Sequence, residues 1–276
     1  MRPYFFGPPE RQLFAVHHPA QIAGRRHGAV ICYPWGHEYV NSLRGCRQLA
    51  ARLARLGIDV LRFDYYGTGD SAGQGEDASL STCVEDVVRA TEELVSSCGL
   101  RTVSMIGVRW GGCVASLAAT LQVELENLVL WEPVVAGRTY LGESRARHAA
   151  FLASERQAAY SGPHEIMGFP LPPTLVAELE ATDLSSIERS PAPHVLLLGD
   201  EQDETGRAQR AFGARLAALC DDFDHRRLPG QGIWIREVGQ ERALVPTSIL
   251  DAILEWFTSR LAAGDQSAPH AAANRT

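Results

Sequence analysis

Short apolar runs alternate with amphipathic segments along most of this chain, and few folds accommodate that order. Residues 29–33 (AVICY), 59–64 (DVLRFD), 102–107 (TVSMIG) and 128–131 (LVLW) read as buried strands. Between them, residues 42–57, 79–98 and a segment opening near Gly111 carry apolar residues at helical spacing. Strands joined through helices make right-handed crossovers, so the pattern predicts an α/β fold: a mainly parallel, twisted sheet with helices on both faces. Ligands in such sheets sit at the carboxyl ends of the strands. Residues 3–6 and 12–16 flank a Gly-Pro-Pro turn and suggest a leading hairpin. The alternation breaks over residues 138–192, where an Arg-rich helix (141–159), a Gly/Pro loop and a shorter helix predict a helical cap. It resumes with a strand at 194–198, a helix at 205–220, a strand at 223–228 and a helix at 247–262. The core is thus residues 1–137 and 193–262, and the small, polar tail 263–276 is expected to be disordered.

Charge narrows the function classes. The net charge is −7, and all 26 basic residues are arginine, because the sequence has no lysine. Scattered arginines on an acidic chain argue against nucleic-acid binding, and the missing lysine removes Schiff-base chemistry and a P-loop. No apolar stretch is long enough for a membrane span, and the start lacks the apolar core of a signal peptide. The six cysteines form no CxxC pair and read as reduced thiols. The expectation is a cytoplasmic protein with no metal and no cofactor.

Gly107-Val108-Arg109-Trp110-Gly111 sits between a strand and a helix, the place of a G-x-S-x-G nucleophile elbow. The glycines permit the sharp turn, but the central residue is arginine. A guanidinium stays protonated and has no lone pair with which to attack a carbonyl.

With these residues the chain resembles the α/β-hydrolase superfamily, in particular its serine-aminopeptidase-like branch, which includes hydrolase-like proteins of exosortase systems and natural-product gene clusters. The resemblance spans roughly residues 12–262. Its carriers are residues 32–39 (CYPWGHEY), 63–73 (FDYYGTGDSAG), 131–138 (WEPVVAGR) and 168–171 (GFPL). It implies the α/β-hydrolase fold, and it marks Arg109 as a feature of that branch. The triad acid is then expected just after strand 194–198, at Asp200 or Asp203. The triad histidine is expected in residues 232–243, which contain none, and His225 comes too early. Nucleophile and base are both missing, so Ser-His-Asp hydrolysis is not expected.

A fixed cation at a helix N-terminus requires an anion. The anion is either an internal carboxylate, with Glu38, Glu132 or Asp200 in reach, or a ligand group. His37 and Glu38, in the loop that supplies an oxyanion-hole N–H in hydrolases, are acid/base candidates, against the plainer reading of a solvated histidine and a structural carboxylate. Trp35, Tyr65, Tyr66, Trp110 and Trp131 fall at strand ends and are candidates for an apolar substrate wall, although core packing is the commoner fate. Cys113 is a weaker nucleophile candidate, Ser42 reads as a helix cap, and Asp64, Asp70 and Ser71 read as turn braces. Arg138, Arg145, Arg147 and Arg156 read first as a solvated helix face, with carrier-protein docking as the sharper alternative. The reading this assembles is a non-hydrolytic enzyme that cyclises, dehydrates or rearranges an acyl, polyketide- or peptide-like intermediate. The alternatives are a catalytically dead protein that binds a ligand or partner enzyme, and an esterase or amidase with a relocated nucleophile.

Overall fold

The computed structural model describes residues 1–121, 123–155, 164–199, 204–228 and 245–267. The leading hairpin is present as β1 (Arg2–Phe6) and β2 (Leu13–His18), paired antiparallel. Then β3 (His27–Cys32), β4 (Ile58–Phe63), β5 (Thr102–Val108), β6 (Asn127–Trp131), β9 (His194–Gly199) and β10 (Asp222–Arg227) run parallel to one another. The sheet order is β1-β2-β4-β3-β5-β6-β9-β10. Every residue of β3 and β6 is buried, as expected of strands covered by helices on both faces.

The crossover helices are α1 (His37–Arg55), α2 (Leu80–Cys98), α3 (Trp110–Leu121), α6 (Glu204–Leu219) and α7 (Thr247–Ser267). From β3 the chain steps outward to β4 and then returns to β5 on the other side of β3. That reversal puts the topological switch point at the carboxyl ends of β3 and β5, the usual ligand position in a sheet of this kind. Two boundaries depart from the sequence reading. Helix α1 starts at His37 rather than at residue 42, opening on Gly36 at φ 65°, so Ser42 is not its cap but an interior residue donating to the Tyr39 carbonyl. Helix α7 runs on to Ser267, so the first residues of the expected disordered tail are helical.

The insertion forms a cap of α4 (Gly137–Glu155), a two-residue hairpin of β7 (Glu165–Ile166) and β8 (Phe169–Pro170), and α5 (Pro173–Ala181). Helix α4 packs on α5 and α6. Glu178 of α5 reaches across to the start of α2, accepting from the Leu80 backbone N–H at 2.5 Å and the Ser81 hydroxyl at 2.7 Å. A carboxylate at the start of α2 satisfies an N–H that has no intrahelical partner. The loop after β4 is braced by the side chains of Asp64 and Ser71, whereas Asp70, also read as a brace, contributes its backbone N–H. Asp64 accepts from the Tyr39 hydroxyl and the Asp70 N–H, and Ser71 donates to the Asp64 carbonyl.

Candidate functional site

The turn between β5 and α3 has the geometry of a nucleophile elbow. Arg109 is held at φ 52°, in the left-handed region that costs a side-chain-bearing residue about 1 kcal/mol or more. Its flanks leave no choice of residue. A Cβ on Gly111 would lie 2.1 Å from the Cys32 carbonyl oxygen, and one on Gly107 would lie 2.5 Å from the Gly112 Cα. The Arg109 N–H donates to the Trp131 carbonyl, and its own carbonyl accepts from Gly112 and Val134. Glu132, at the end of the neighbouring β6, is also left-handed at φ 43°. Two strained residues therefore stand side by side at the carboxyl edge of the sheet.

The anion that Arg109 requires is Glu38. Arg109 Nε and Nη2 each donate to Glu38 Oε1 at 3.3 Å, and Nη1 donates to the Glu132 carbonyl oxygen at 3.3 Å. Glu38 is fully buried, and two cap residues close around it: Arg147 Nη1 at 3.4 Å from Oε1 and the Tyr140 hydroxyl at 3.4 Å from Oε2. The Tyr140 ring also lies under the Arg109 guanidinium at 5.9 Å. Burial opposes the charged guanidinium, but Glu38 and then Glu132, Tyr140 and Glu143 outweigh it and hold the Arg109 pKa above its ordinary value. Burial first and Glu38 second push the Tyr140 phenol well up, so it stays a hydrogen-bond donor. Beside Arg109 lies a cavity of about 10 Å3, the space of about one water molecule, lined by Val134, Val135, Ala136, Thr139, Tyr140, Glu143 and Ala208.

Of the residues singled out from sequence, Arg109 and Glu38 meet directly, and Glu132 joins them through its carbonyl. His37 is the first residue of α1, half-buried and not part of the cavity wall. The five aromatic residues do not form that wall either. Trp110, Trp131 and Tyr65 are packed in the core, with Tyr65 edge-on to Phe63 and donating to the Tyr33 carbonyl. Tyr66 lies under Arg11 at 4.9 Å, and half-buried Trp35 packs against the core. Strand ends carry aromatics here because the helices above them need apolar volume, and the aromatic at the cavity is Tyr140, from the cap. Cys113 is fully buried, and burial pushes its thiol up to about 12, which leaves no thiolate at neutral pH. His225 lies within β10. Asp200, Asp203, Arg156 and residues 232–243 lie outside the described residues. Arg147, read from the sequence as part of a solvated helix face with Arg138 and Arg145, instead turns inward to Glu38, while Arg138 and Arg145 are exposed as expected. Tyr140 and Glu143 were not singled out, because the pattern of a cap helix does not say which face meets the core.

Comparison with known proteins supports the same architecture. A family model described as serine aminopeptidase, S33, matches residues 26–179. No curated protein matches the chain in sequence. Est1E from Butyrivibrio proteoclasticus, solved with ferulic acid bound, superposes with a TM-score of 0.67 at 17% identity, covering 94% of this chain and 99% of its own. An esterase from Pyrococcus furiosus gives 0.65 at 14% identity, with 94% and 90% covered. Mouse alpha/beta hydrolase domain-containing protein 10 gives 0.58 at 16%, with 94% and 100% covered. At these identities the likeness shows the fold, and the family model spans more than half of the chain. The chain therefore belongs to the serine aminopeptidase S33 family of α/β hydrolases.

Proposed function

We propose that this chain is a non-hydrolytic enzyme on a hydrolase scaffold, in which Arg109 stabilises negative charge on an oxygen of an acyl ligand. The observation that carries the reading is the left-handed Arg109 at the elbow. Backbone strain persists where function holds it, and this residue is aimed at the crevice where such sheets bind ligands. Arg109 and Glu143 line one cavity. A fixed cation for an oxyanion or enolate, with a carboxylate to move a proton, suits cyclisation, elimination or rearrangement of an acyl, polyketide- or peptide-like intermediate. The ferulic acid held by Est1E, itself a carboxylic acid, supports an acyl compound as the ligand class. Such a substrate arrives as a free small molecule or on a carrier protein.

A second reading, a pseudo-hydrolase that only binds, is favoured by a different observation: Glu38 already pairs with Arg109, and the cavity has room for about one water. One experiment separates them. Incubation with acyl-pantetheine thioesters, followed by mass spectrometry, reads the water balance of any product. The enzyme reading expects unchanged mass or loss of water, abolished in Arg109→Ala and Glu143→Gln. A protein stabilised thermally by those thioesters without turnover supports the binding reading. Gain of water, or specific labelling by a serine-directed phosphonate, refutes both.

A further inference from the structure

Far from Arg109, three side chains from distant segments converge on one point. His17 of β2 has its Nε2 at 2.8 Å from Oδ1 of Asp59 in β4 and at 3.6 Å from Sγ of Cys98, the last residue of α2. All three ligand atoms lie within 4.8 Å of one another, and all three residues are half-buried. Both contacts fall on the same ring nitrogen. A thiol–imidazole–carboxylate relay needs nucleophile and acid on opposite nitrogens, so this arrangement cannot pass a proton along a line. Convergence on a point is the geometry of coordination.

We propose that His17, Asp59 and Cys98 form a zinc site, with solvent in the fourth tetrahedral position. One sulfur, one imidazole nitrogen and one carboxylate oxygen form a donor set suited to Zn2+, whereas Ca2+ and Mg2+ take oxygen. Zinc bonds of about 2.0–2.3 Å place neighbouring ligand atoms about 3.3–3.6 Å apart. The sulfur-to-nitrogen separation of 3.6 Å already fits. Oδ1 must withdraw from the nitrogen by about 0.6 Å, within reach of a side-chain rotation. Asp59 Oδ1 is oriented beforehand, accepting from the Ala20 N–H at 3.1 Å. Cys98 sits in the last turn of α2, whose carbonyl end favours a cation.

The ion would tie β2 and β4 to α2. Asp59 pairs with Gly28 near the start of β3, while Arg109 follows the far end of β5, so this site stands independently of the function proposed above.

The test uses full-length protein stripped with a chelator and titrated with Zn2+ at micromolar free metal. Alkylation of Cys98 by iodoacetamide is followed by peptide mass spectrometry, a readout that needs no variant. One equivalent of zinc should bind and slow that alkylation by about tenfold or more. Cobalt in place of zinc should give a sulfur-to-metal charge-transfer band that Cys98→Ser removes. His17→Gln and Asp59→Asn should each weaken affinity by about tenfold or more, with folding checked by thermal melts. Absence of stoichiometric binding, bound zinc that leaves Cys98 alkylation unchanged, or affinity unaltered by Cys98→Ser would each overturn the proposal.

Discussion

Replacing Glu38 with leucine should cost more stability than replacing Arg109, although the two are partners. Glu38 is 0% and Arg109 5% exposed, and Glu38 Oε1 faces Arg109 at 3.3 Å and Arg147 at 3.4 Å. At an effective dielectric of about 20, each attraction is about 5 kcal/mol before desolvation offsets most of it. Removing one partner of a buried pair strands the other charge, at about 3–5 kcal/mol. Glu38→Leu takes the carboxylate from both Arg109 and Arg147, leaving Arg109 the Glu132 carbonyl oxygen and the weaker influence of the Glu132 and Glu143 charges. It also removes the acceptor of the Tyr140 hydroxyl, so it belongs at the upper end of that range. Arg109→Leu leaves Glu38 with Arg147 and Tyr140, so it belongs at the lower end. The double variant, with no buried charge at either position, should be no worse than Glu38→Leu alone, a coupling of about 3 kcal/mol. Urea denaturation at neutral pH, followed by circular dichroism at constant m, measures all three. Costs that add within about 0.5 kcal/mol, or an Arg109→Leu cost exceeding that of Glu38→Leu, would refute this account of the elbow.

Other expectations follow from burial and backbone geometry. His18 accepts from Arg62 Nε at 3.1 Å, and burial first, then Arg62, pushes its pKa down from 6.5 to about 4. The unfolded chain therefore takes up that proton first, so the contribution of neutral His18 is complete above pH 6.5 and is lost as pH falls toward 4. The loss is about 3 kcal/mol at most, and His18→Gln should flatten that limb of the stability profile; an unchanged slope would remove His18 from the explanation. Gly111→Ala should destabilise by about 3 kcal/mol, because its Cβ meets backbone oxygens that cannot retreat. Gly142→Ala, in α4 with open space around it, should instead gain about 0.8 kcal/mol, and equal melting shifts for the two would contradict both.

What the sequence disclosed follows from which forces are local. The strands β3 and β6 were legible because full burial writes an apolar run, and the elbow because two glycines flank it at fixed spacing. Charge logic, a fixed cation at a helix start demanding an anion, narrowed the internal partner of Arg109 to Glu38, Glu132 or Asp200 beside a ligand group, and only the structure selects Glu38. Its place in a helix was not. Pro34-Trp35-Gly36 reads as a stop, yet Gly36 at φ 65° turns the chain straight into α1 and points Glu38 inward. Tyr140 and Glu143 were illegible, and Arg147 was misread as solvated, because the pattern of a cap helix does not say which face meets the core. The His17, Asp59 and Cys98 cluster was hidden because its members, distant in sequence, are brought together only by the pairing of β2 with β4 and the packing of α2 beside them.

If α5 travels with α4, Glu178 makes entry to the Arg109 cavity a linked equilibrium rather than a simple fit. Helix α4 supplies Thr139, Tyr140 and Glu143 to the cavity wall and packs on α5, whose Glu178 holds the first N–H of α2. An opening that carries α5 along with α4 would expose that helix terminus some distance from the guest, and the apparent affinity would then be the intrinsic affinity scaled by the population of open caps. Weakening the Glu178 contact would tighten binding without altering a single atom that the guest touches.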